Sequence, residues 1–237
     1  MTRDPQPDDA VVELSGWFAC VFDGIEAMNR DFTALIEQVS TPDDGVARLA
    51  ESGRAALRGR VGRFLGEHRS TDGAGLVFAR PADATSPSAI EWWVRGSGGD
   101  IDRYRFGTDP AAAGFYEYER LEWFVRAYRD GRPCIAGPYI DYLGVDQYIV
   151  TLTVQAVAHG RPIGAAGADI RVSDLERALM PIMRRVPGAA AVLNTHDAVL
   201  VGNSSRLLTG DRIAEIPDGF RLTPLPGSHD LLRLLHR

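Results

Sequence analysis

The chain has 237 residues, of which 45% are apolar and 24% are charged, and its formal net charge is -6. This composition is typical of a soluble globular protein. All 26 basic residues are arginine, which excludes chemistry that needs a lysine amine, such as P-loop phosphate binding or a pyridoxal Schiff base. The acidic balance, without any basic block, argues against a nucleic acid as the partner.

Cysteine usage and apolar patterning suggest a compartment. Cys20 and Cys134 form neither a CxxC pair nor a zinc-type cluster, as is common in reducing compartments. The longest strongly apolar stretch without a charge, residues 147–160, is too short to span a bilayer. The N-terminal residues include no apolar leader. We therefore expect a cytoplasmic protein with no membrane partner, no metal and no cofactor.

The N-terminal quarter predicts helices. Residues 1–9 predict a disordered lead-in that ends near a helix cap at Asp9. Beyond it, apolar residues recur at alternating steps of three and four, which indicates one long amphipathic helix. This stripe consists of Val11, Leu14, Phe18, Val21, Ile25, Met28, Phe32, Leu35 and Val39. It either packs against the protein's own second helix and sheet or forms the seam of a homodimer. A break at 40–45 and a second helix ending near Arg69 complete a helical segment over residues 10–70.

The remainder, residues 71–237, alternates with the period of strands. The predicted strands are Leu76–Arg80, Ile90–Arg95, Ile101–Phe106, Gln147–Val157, Pro162–Ile170 and a second hairpin of Ala189–Asn194 with Ala198–Asn203. A helix is predicted over 118–129 and another over 175–183 with Ser173 as its cap. Glycines and prolines between 131 and 138 predict an interruption, and apolar pieces at 220–222 and 231–235 have no assigned partner. Two helices followed by hairpins predict an α+β fold built on an antiparallel sheet.

Aromatic and acidic residues are interleaved between positions 115 and 148. Nine of the twenty aromatic residues lie there, together with six carboxylates. Aromatic rings beside carboxylates suit an organic cation, because the ring faces and the fixed charge both stabilise an ammonium group that has lost part of its water. The alternative is a half-buried face whose carboxylates lie in solvent.

Known catalytic motifs are missing from the sequence. There is no HExxH, GxSxG or strand-linked GxGxxG pattern,. The five histidines are isolated from one another, and Ser204 and Ser205 have no base that the sequence reveals. These observations favour binding without catalysis.

The segment from Glu122 to Leu179 resembles the Cache family of extracellular PAS-like sensor domains. The resemblance rests on an aromatic pair, a G-x-P-Y-x-D segment, a TLT strand and a small-residue strand that ends in G-A-D-I before a helix. In this chain these elements are Trp123-Phe124, Gly137-Pro138-Tyr139-Ile140-Asp141, Thr151-Leu152-Thr153 and Gly167-Ala168-Asp169-Ile170. The match extends over roughly residues 115–205.

The resemblance implies a PAS-like sheet of five or six antiparallel strands, with a pocket for a small metabolite on one face. Trp123, Tyr139, Asp141 and Asp169 match the family's ligand-binding positions best, and Tyr118, Tyr148 and Thr153 complete the candidate set. The pattern departs from amino-acid-binding members, because Arg120 is displaced by one position and Phe124 replaces a tyrosine. An amine therefore fits better than an amino acid.

The sequence thus predicts a non-catalytic sensor of a small amine or amino-acid-like metabolite, with an unidentified signalling partner and with the N-terminal helix as a possible homodimer contact. Two alternatives stay open: an enzyme that uses Asp141 and Asp169 on an amine or sugar, and an interaction module in which the helix stripe is the functional surface. Individually, Asp141 could instead stabilise a turn, and Asp169 could cap the helix near Ser173.

Overall fold

A computed structural model describes residues 7–39, 47–80, 90–96, 98–107, 109–112, 114–142 and 144–237. The lead-in residues 1–6 and the predicted break at 40–45 lie outside these ranges. Helix α1 spans Pro7–Val39, so residues 7–9, which were assigned to the lead-in, are already helical. Helix α2 spans Ala47–Glu67. Among the described helices, none is both long enough and apolar enough to cross a membrane.

The main sheet has six antiparallel strands in the order β3-β2-β1-β6-β5-β4. Its strands are β1 Gly73–Phe78, β2 Ile90–Arg95, β3 Ile101–Arg103, β4 Cys134–Ile140, β5 Tyr148–Ala158 and β6 Arg161–Arg171. Strand β4 lies where the sequence predicted an interruption. It is an edge strand, where proline is tolerated, and its pairing with β5 shifts between Ala136 and Tyr139.

The C-terminal strands form a second antiparallel sheet, in the order β8-β7-β10-β9. They are β7 Ala191–Leu193, β8 Val199–Gly202, β9 Arg221–Pro224 and β10 Arg233–His236. The predicted hairpin supplies β7 and β8, and the two unassigned apolar pieces lie at β9 and β10. Because β7 and β10 are about forty residues apart in the chain, local patterns did not reveal their pairing.

Two shorter helical segments connect these elements. Tyr118–Arg120 forms a 3₁₀ turn, α3 spans Glu122–Phe124, and Val125–Arg129 continues as a π-helical turn, in place of the single predicted helix. Helix α4 spans Val172–Met183. It follows extended residue Arg171, which provides no side-chain cap, so the predicted cap at Ser173 is wrong, as is the alternative cap at Asp169.

The stripe of α1 packs into the protein's own core. Leu14, Phe18 and Ile25 are fully buried, and their cluster includes side chains from α2, β5, β6 and the second sheet. Of the two interpretations of the stripe, the structure shows intramolecular packing. Val39, at the end of the stripe, is the exposed exception.

Candidate functional site

The candidate site lies on the face of the main sheet that is turned away from α1. Alternation along β5 directs Val150 and Leu152 into the core shared with α1, whereas Thr151 lies on the opposite face. A second cluster, formed by the segment from Tyr116 to Ala127, packs on that opposite face. Between this segment and the sheet lies a hollow, whose lining residues are Val77, Trp92, Phe106, Tyr116, Trp123, Tyr139, Asp141, Thr151 and Asp169.

Asp169 is positioned by neighbouring strands. It pairs with Thr151 of β5 on one side and Gly73 of β1 on the other. The Thr151 hydroxyl donates a hydrogen bond of 2.7 Å to Asp169 Oδ1, and the Tyr139 hydroxyl lies 2.8 Å from Thr151 Oγ1. Because the hydrogen of Thr151 is directed at the carboxyl group, Tyr139 donates to Thr151. A chain of hydroxyl groups thus links β4 to Asp169.

Asp141 lies in the turn that follows β4. Its Oδ2 accepts a 3.2 Å hydrogen bond from the Val145 amide and a longer one of 3.4 Å from the Tyr116 hydroxyl. The turn-stabilising alternative for Asp141 is therefore correct, but it does not compete with the site, because the same carboxyl group also lines the hollow. Asp141 and Asp169 are each only 6% exposed.

Aromatic rings form most of the wall. Phe106 stacks on Tyr116 with 5.0 Å between ring centroids, and Trp123 stacks more loosely on Tyr118 at 6.3 Å. The indole nitrogens of Trp92 and Trp123 are buried, and neither has a hydrogen-bond partner within the part of the chain that the structure describes. A buried donor without an acceptor is costly.

Glycines in the floor make room for one of these rings. A Cβ atom at Gly75 would lie 2.9 Å from the Trp92 ring carbon Cε3, and one at Gly73 would lie 2.8 Å from Trp92 Nε1. The two glycines of β1 thus let the Trp92 indole lie against the sheet.

The hollow is small, and a larger cleft adjoins it. About 20 Å³ is open in the hollow, enough for one water molecule. The cleft, of about 380 Å³, lies between α3 and β4 on one side and the second sheet on the other. Trp123 and Tyr139 line both spaces and so form the partition between them.

Burial changes the acidity of the carboxyl groups. It raises the pKa of Asp169 to about 8; the hydrogen bond from Thr151 opposes this rise, and the neighbouring Asp141 adds to it. Burial also raises the pKa of Asp141, although the hydrogen bonds from Val145 and Tyr116 favour its charged form. Burial thus favours the protonated form of Asp169.

Four of the seven predicted site residues meet at the hollow: Trp123, Tyr139, Asp141 and Asp169. Tyr118 and Thr153 lie behind Trp123. The Tyr118 hydroxyl donates to the Phe78 carbonyl, and the Thr153 hydroxyl donates a 2.8 Å bond to the Trp123 carbonyl. Both therefore position the partition and do not line the hollow.

Tyr148 lies away from the hollow. It is 39% exposed. Its hydroxyl lies close to Gly210, in the loop between β8 and β9, where an added Cβ atom would lie 2.5 Å from that hydroxyl. The strand alternation explains this, since Tyr148 shares the face of Val150 and not that of Thr151. We therefore leave Tyr148 out of the site.

Sequence reasoning missed several lining residues, among them Trp92, Phe106, Tyr116 and Thr151. Thr151 could have been found, because it shares a strand face with Thr153 and immediately precedes it on that face. Tyr116 belonged to the aromatic and acidic window. Trp92 gave no local signal, since its place over Gly75 follows from the β1–β2 pairing.

Comparison with solved structures identifies the fold. "Methyl-accepting Chemotaxis protein X" is 16% identical and superposes with a TM-score of 0.62 over 94% of this chain and 91% of its own. The extracellular domain of mmHK1S-Z3, described as a histidine kinase, gives 12% identity and a TM-score of 0.60 over 96% and 91% of the two chains. The ligand-binding domain of the Pseudomonas fluorescens chemoreceptor CtaA, solved with L-valine, gives 15% and 0.57 over 95% and 90%. No protein-family model and no curated protein matches the sequence.

These likenesses confirm the predicted α+β fold, which this chain shares with the ligand-binding and extracellular domains of such receptors. They also overturn the expected cytoplasmic location, because the kinase domain that shares this fold is extracellular. The cytoplasmic prediction rested on cysteine usage and on the composition of the N-terminal residues. A core of this size needs no disulfide in either compartment, so free cysteines do not identify the location.

Proposed function

We propose that the chain is a non-catalytic sensor domain that binds a small cationic metabolite, an amine or an amino-acid-like compound, at the hollow. The observation that carries this proposal is that two buried carboxyl groups, Asp141 and Asp169, line one space whose other described walls are rings, a valine and a threonine. Buried acids without a cation are costly. An ammonium group between them would offset that cost.

The rings favour the same class of ligand. Trp92, Tyr116 and Trp123 surround the acids, and each cation–π contact contributes roughly 0.5 to 2 kcal/mol. A hydrogen bond between an ammonium and a carboxylate contributes about 1.5 to 3 kcal/mol. Together, these interactions select for positive charge and against anions.

The two unpaired indole donors bear on the choice between an amine and an amino acid. A simple amine would leave the N–H groups of Trp92 and Trp123 without an acceptor, whereas a ligand carboxylate could accept from either of them. This supports an amino-acid-like ligand more strongly than the sequence did, and CtaA, which shares the fold, was solved with L-valine.

A ligand of that size needs more room than the hollow offers. We expect the partition formed by Trp123 and Tyr139 to move toward the cleft when the ligand binds. The cleft would then be the approach from solvent, with Thr153 and Tyr118 guiding the displacement of Trp123.

The rest of the chain would support the site. In this proposal residues 71–237 carry the ligand, residues 10–70 brace the main sheet, and an unidentified signalling partner detects the bound state. A homodimer through α1 would have to use the outward face that carries Val12, which is 70% exposed, because the stripe is already buried.

The test compares three probes of nearly equal size and shape at pH 8.5: L-valine, isobutylamine, which lacks its carboxylate, and 3-methylbutanoate, which lacks its ammonium. At 100 times its dissociation constant a ligand stabilises a protein by about 2.7 kcal/mol, which raises the melting temperature of a chain of this size by roughly 5 to 10 °C.

We expect L-valine or isobutylamine to raise the melting temperature and 3-methylbutanoate to leave it unchanged. Stabilisation by 3-methylbutanoate alone would overturn the proposal. Mass spectrometry of the recovered probe distinguishes the rival enzyme function: a sensor returns the probe unchanged, whereas an enzyme that uses the Asp pair alters its mass.

A further inference from the structure

The hollow contains two acids and no base among its described lining residues. Asp141 and Asp169 face only neutral groups there: the hydroxyls of Thr151, Tyr116 and Tyr139 and the Trp92 and Trp123 rings. Burial raises the pKa of both tyrosines further above the ordinary value, so these phenols stay neutral. None of these groups can balance two negative charges.

The arginine that lies beside Asp72 is already engaged. Asp72, at the start of β1, donates its amide to the Asp169 carbonyl at 2.8 Å. Its carboxylate lies 2.8 Å from Arg171 Nη2, and Arg95 also acts on Asp72 electrostatically. Arg171 therefore compensates Asp72, and Asp72 adds a further negative charge near Asp169.

Two acids that share a buried space do not both ionise. Asp141 is the one that keeps its charge, because the Val145 amide and the Tyr116 hydroxyl donate to it. Asp169 accepts from the Thr151 hydroxyl alone, and its pKa is raised to about 8. In the ligand-free protein the proton therefore resides on Asp169.

We infer that the site exchanges this proton for the ligand's cation. An arriving ammonium group displaces the proton of the Asp169 carboxyl to solvent, and the resulting carboxylate pairs with the ammonium. With a simple amine, one positive charge enters and one leaves, so the hollow keeps the same net charge throughout. This inference rests on the proposed function, and it makes ligand binding dependent on pH.

Calorimetric titration at pH 7.0 tests the exchange with isobutylamine and L-valine as probes. Each is titrated in phosphate, which has a small ionisation enthalpy, and in Tris, which has a large one; the difference in observed heat gives the number of protons released. We expect between half a proton and one proton per bound ligand. From pH 8 to pH 6 we expect binding of isobutylamine to weaken at least tenfold, although the amine itself stays charged.

Two variants serve as probe and control. Asp169→Asn should bind more weakly and release no proton, whereas Asp146→Asn, which makes the same change in an exposed residue of the neighbouring turn, should behave as the wild type does. If Asp169→Asn fails to fold, the comparison of the two buffers with the wild type still tests the exchange. Binding with equal heats in the two buffers and an unchanged dissociation constant would overturn the exchange alone. Failure of both probes to bind at any pH would overturn the proposed function, and the exchange with it.

Discussion

Asp169 is a buried acid that destabilises the fold when it is ionised, and in the proposed function it binds the ligand's ammonium group. It lies on a central strand, between β1 and β5, and is only 6% exposed. Its neighbours offer one hydroxyl donor and no cation among the described residues. The carboxyl group is accommodated because it stays protonated, and this state costs stability only where the pH favours ionisation.

The stability of the ligand-free protein should therefore depend on pH through Asp169. Its pKa is about 8 in the folded chain against 3.8 for the unperturbed group. Between these values the unfolded chain has lost the proton and the folded chain has kept it, so stability falls as the pH rises through this window. Asparagine does not titrate. We therefore compare the unfolding free energy of Asp169→Asn with that of the wild type. From pH 5 to pH 8 this difference should shift in favour of the variant by at least about 1 kcal/mol.

Urea denaturation of both proteins at the two pH values measures this change. Asp146→Asn is the matched control and should follow the wild type. Parallel pH profiles for the wild type and Asp169→Asn would mean that the buried carboxyl group ionises freely.

At the scale of elements, Asn194 links the two sheets. Its side-chain amide donates a 2.6 Å hydrogen bond to the Gly137 carbonyl in β4, and its Oδ1 accepts from the amides of His196 and Ala198. Gly137 lies two residues before Tyr139. A change in the second sheet can therefore reach the strand that carries one half of the partition.

Asn194→Ala should lose about 2 kcal/mol of stability, because it removes three hydrogen bonds from a buried residue, and should weaken probe binding several-fold. Asn203→Ala is a matched control in the same sheet. Asn203 also makes three hydrogen bonds, to Ala190, Met183 and Gly188, but none to β4. It should lose similar stability and keep the wild-type dissociation constant; an equal loss of binding in both variants would assign the effect to general destabilisation. Calorimetry and urea denaturation provide the two readouts.

Another element contact fixes the far edge of the main sheet. Glu91 of β2 is 1% exposed, and both Arg54 of α2 and Arg103 of β3 donate to its carboxylate. This buried charge is thus compensated twice, in contrast to Asp169. Glu91, a buried acid that stabilises the fold, has two arginine partners, whereas Asp169 has none among the described lining residues of the hollow. This contrast supports a ligand-binding role for the hollow.

For the whole molecule, hydrophobic periodicity predicted the helices and strands whose burial pattern is local. It did not predict the strand pairings between segments that are distant in the chain. The stripe of α1 and the alternation of β5 gave the long helix and the two faces of the sheet. Strand β4 was missed because Gly137 and Pro138 are usual breakers, and only its edge position makes them compatible with a strand. The second sheet was not predicted because the pairing of β7 with β10 has no local signature.

For the site, too, the sequence predicted some residues and missed those that depend on contacts between distant segments. Asp141 and Asp169 came from a motif resemblance, and their convergence required a sheet that no local pattern specifies. Tyr148 was wrongly included although its own strand alternation placed it on the other face. The hydrogen bond between Thr151 and Asp169 became visible only through the register of β5 and β6.

A double-mutant cycle at pH 8.5 tests the central claim most directly, with the probe that stabilises the protein most. The dissociation constant is measured for the wild type, Asp141→Asn, Asp169→Asn and the double variant. If both carboxyl groups hold one ammonium, each single change weakens binding at least tenfold, about 1.4 kcal/mol, and the double variant loses less than the product of the two effects. Dissociation constants that stay within twofold of the wild type in both single variants would contradict the account.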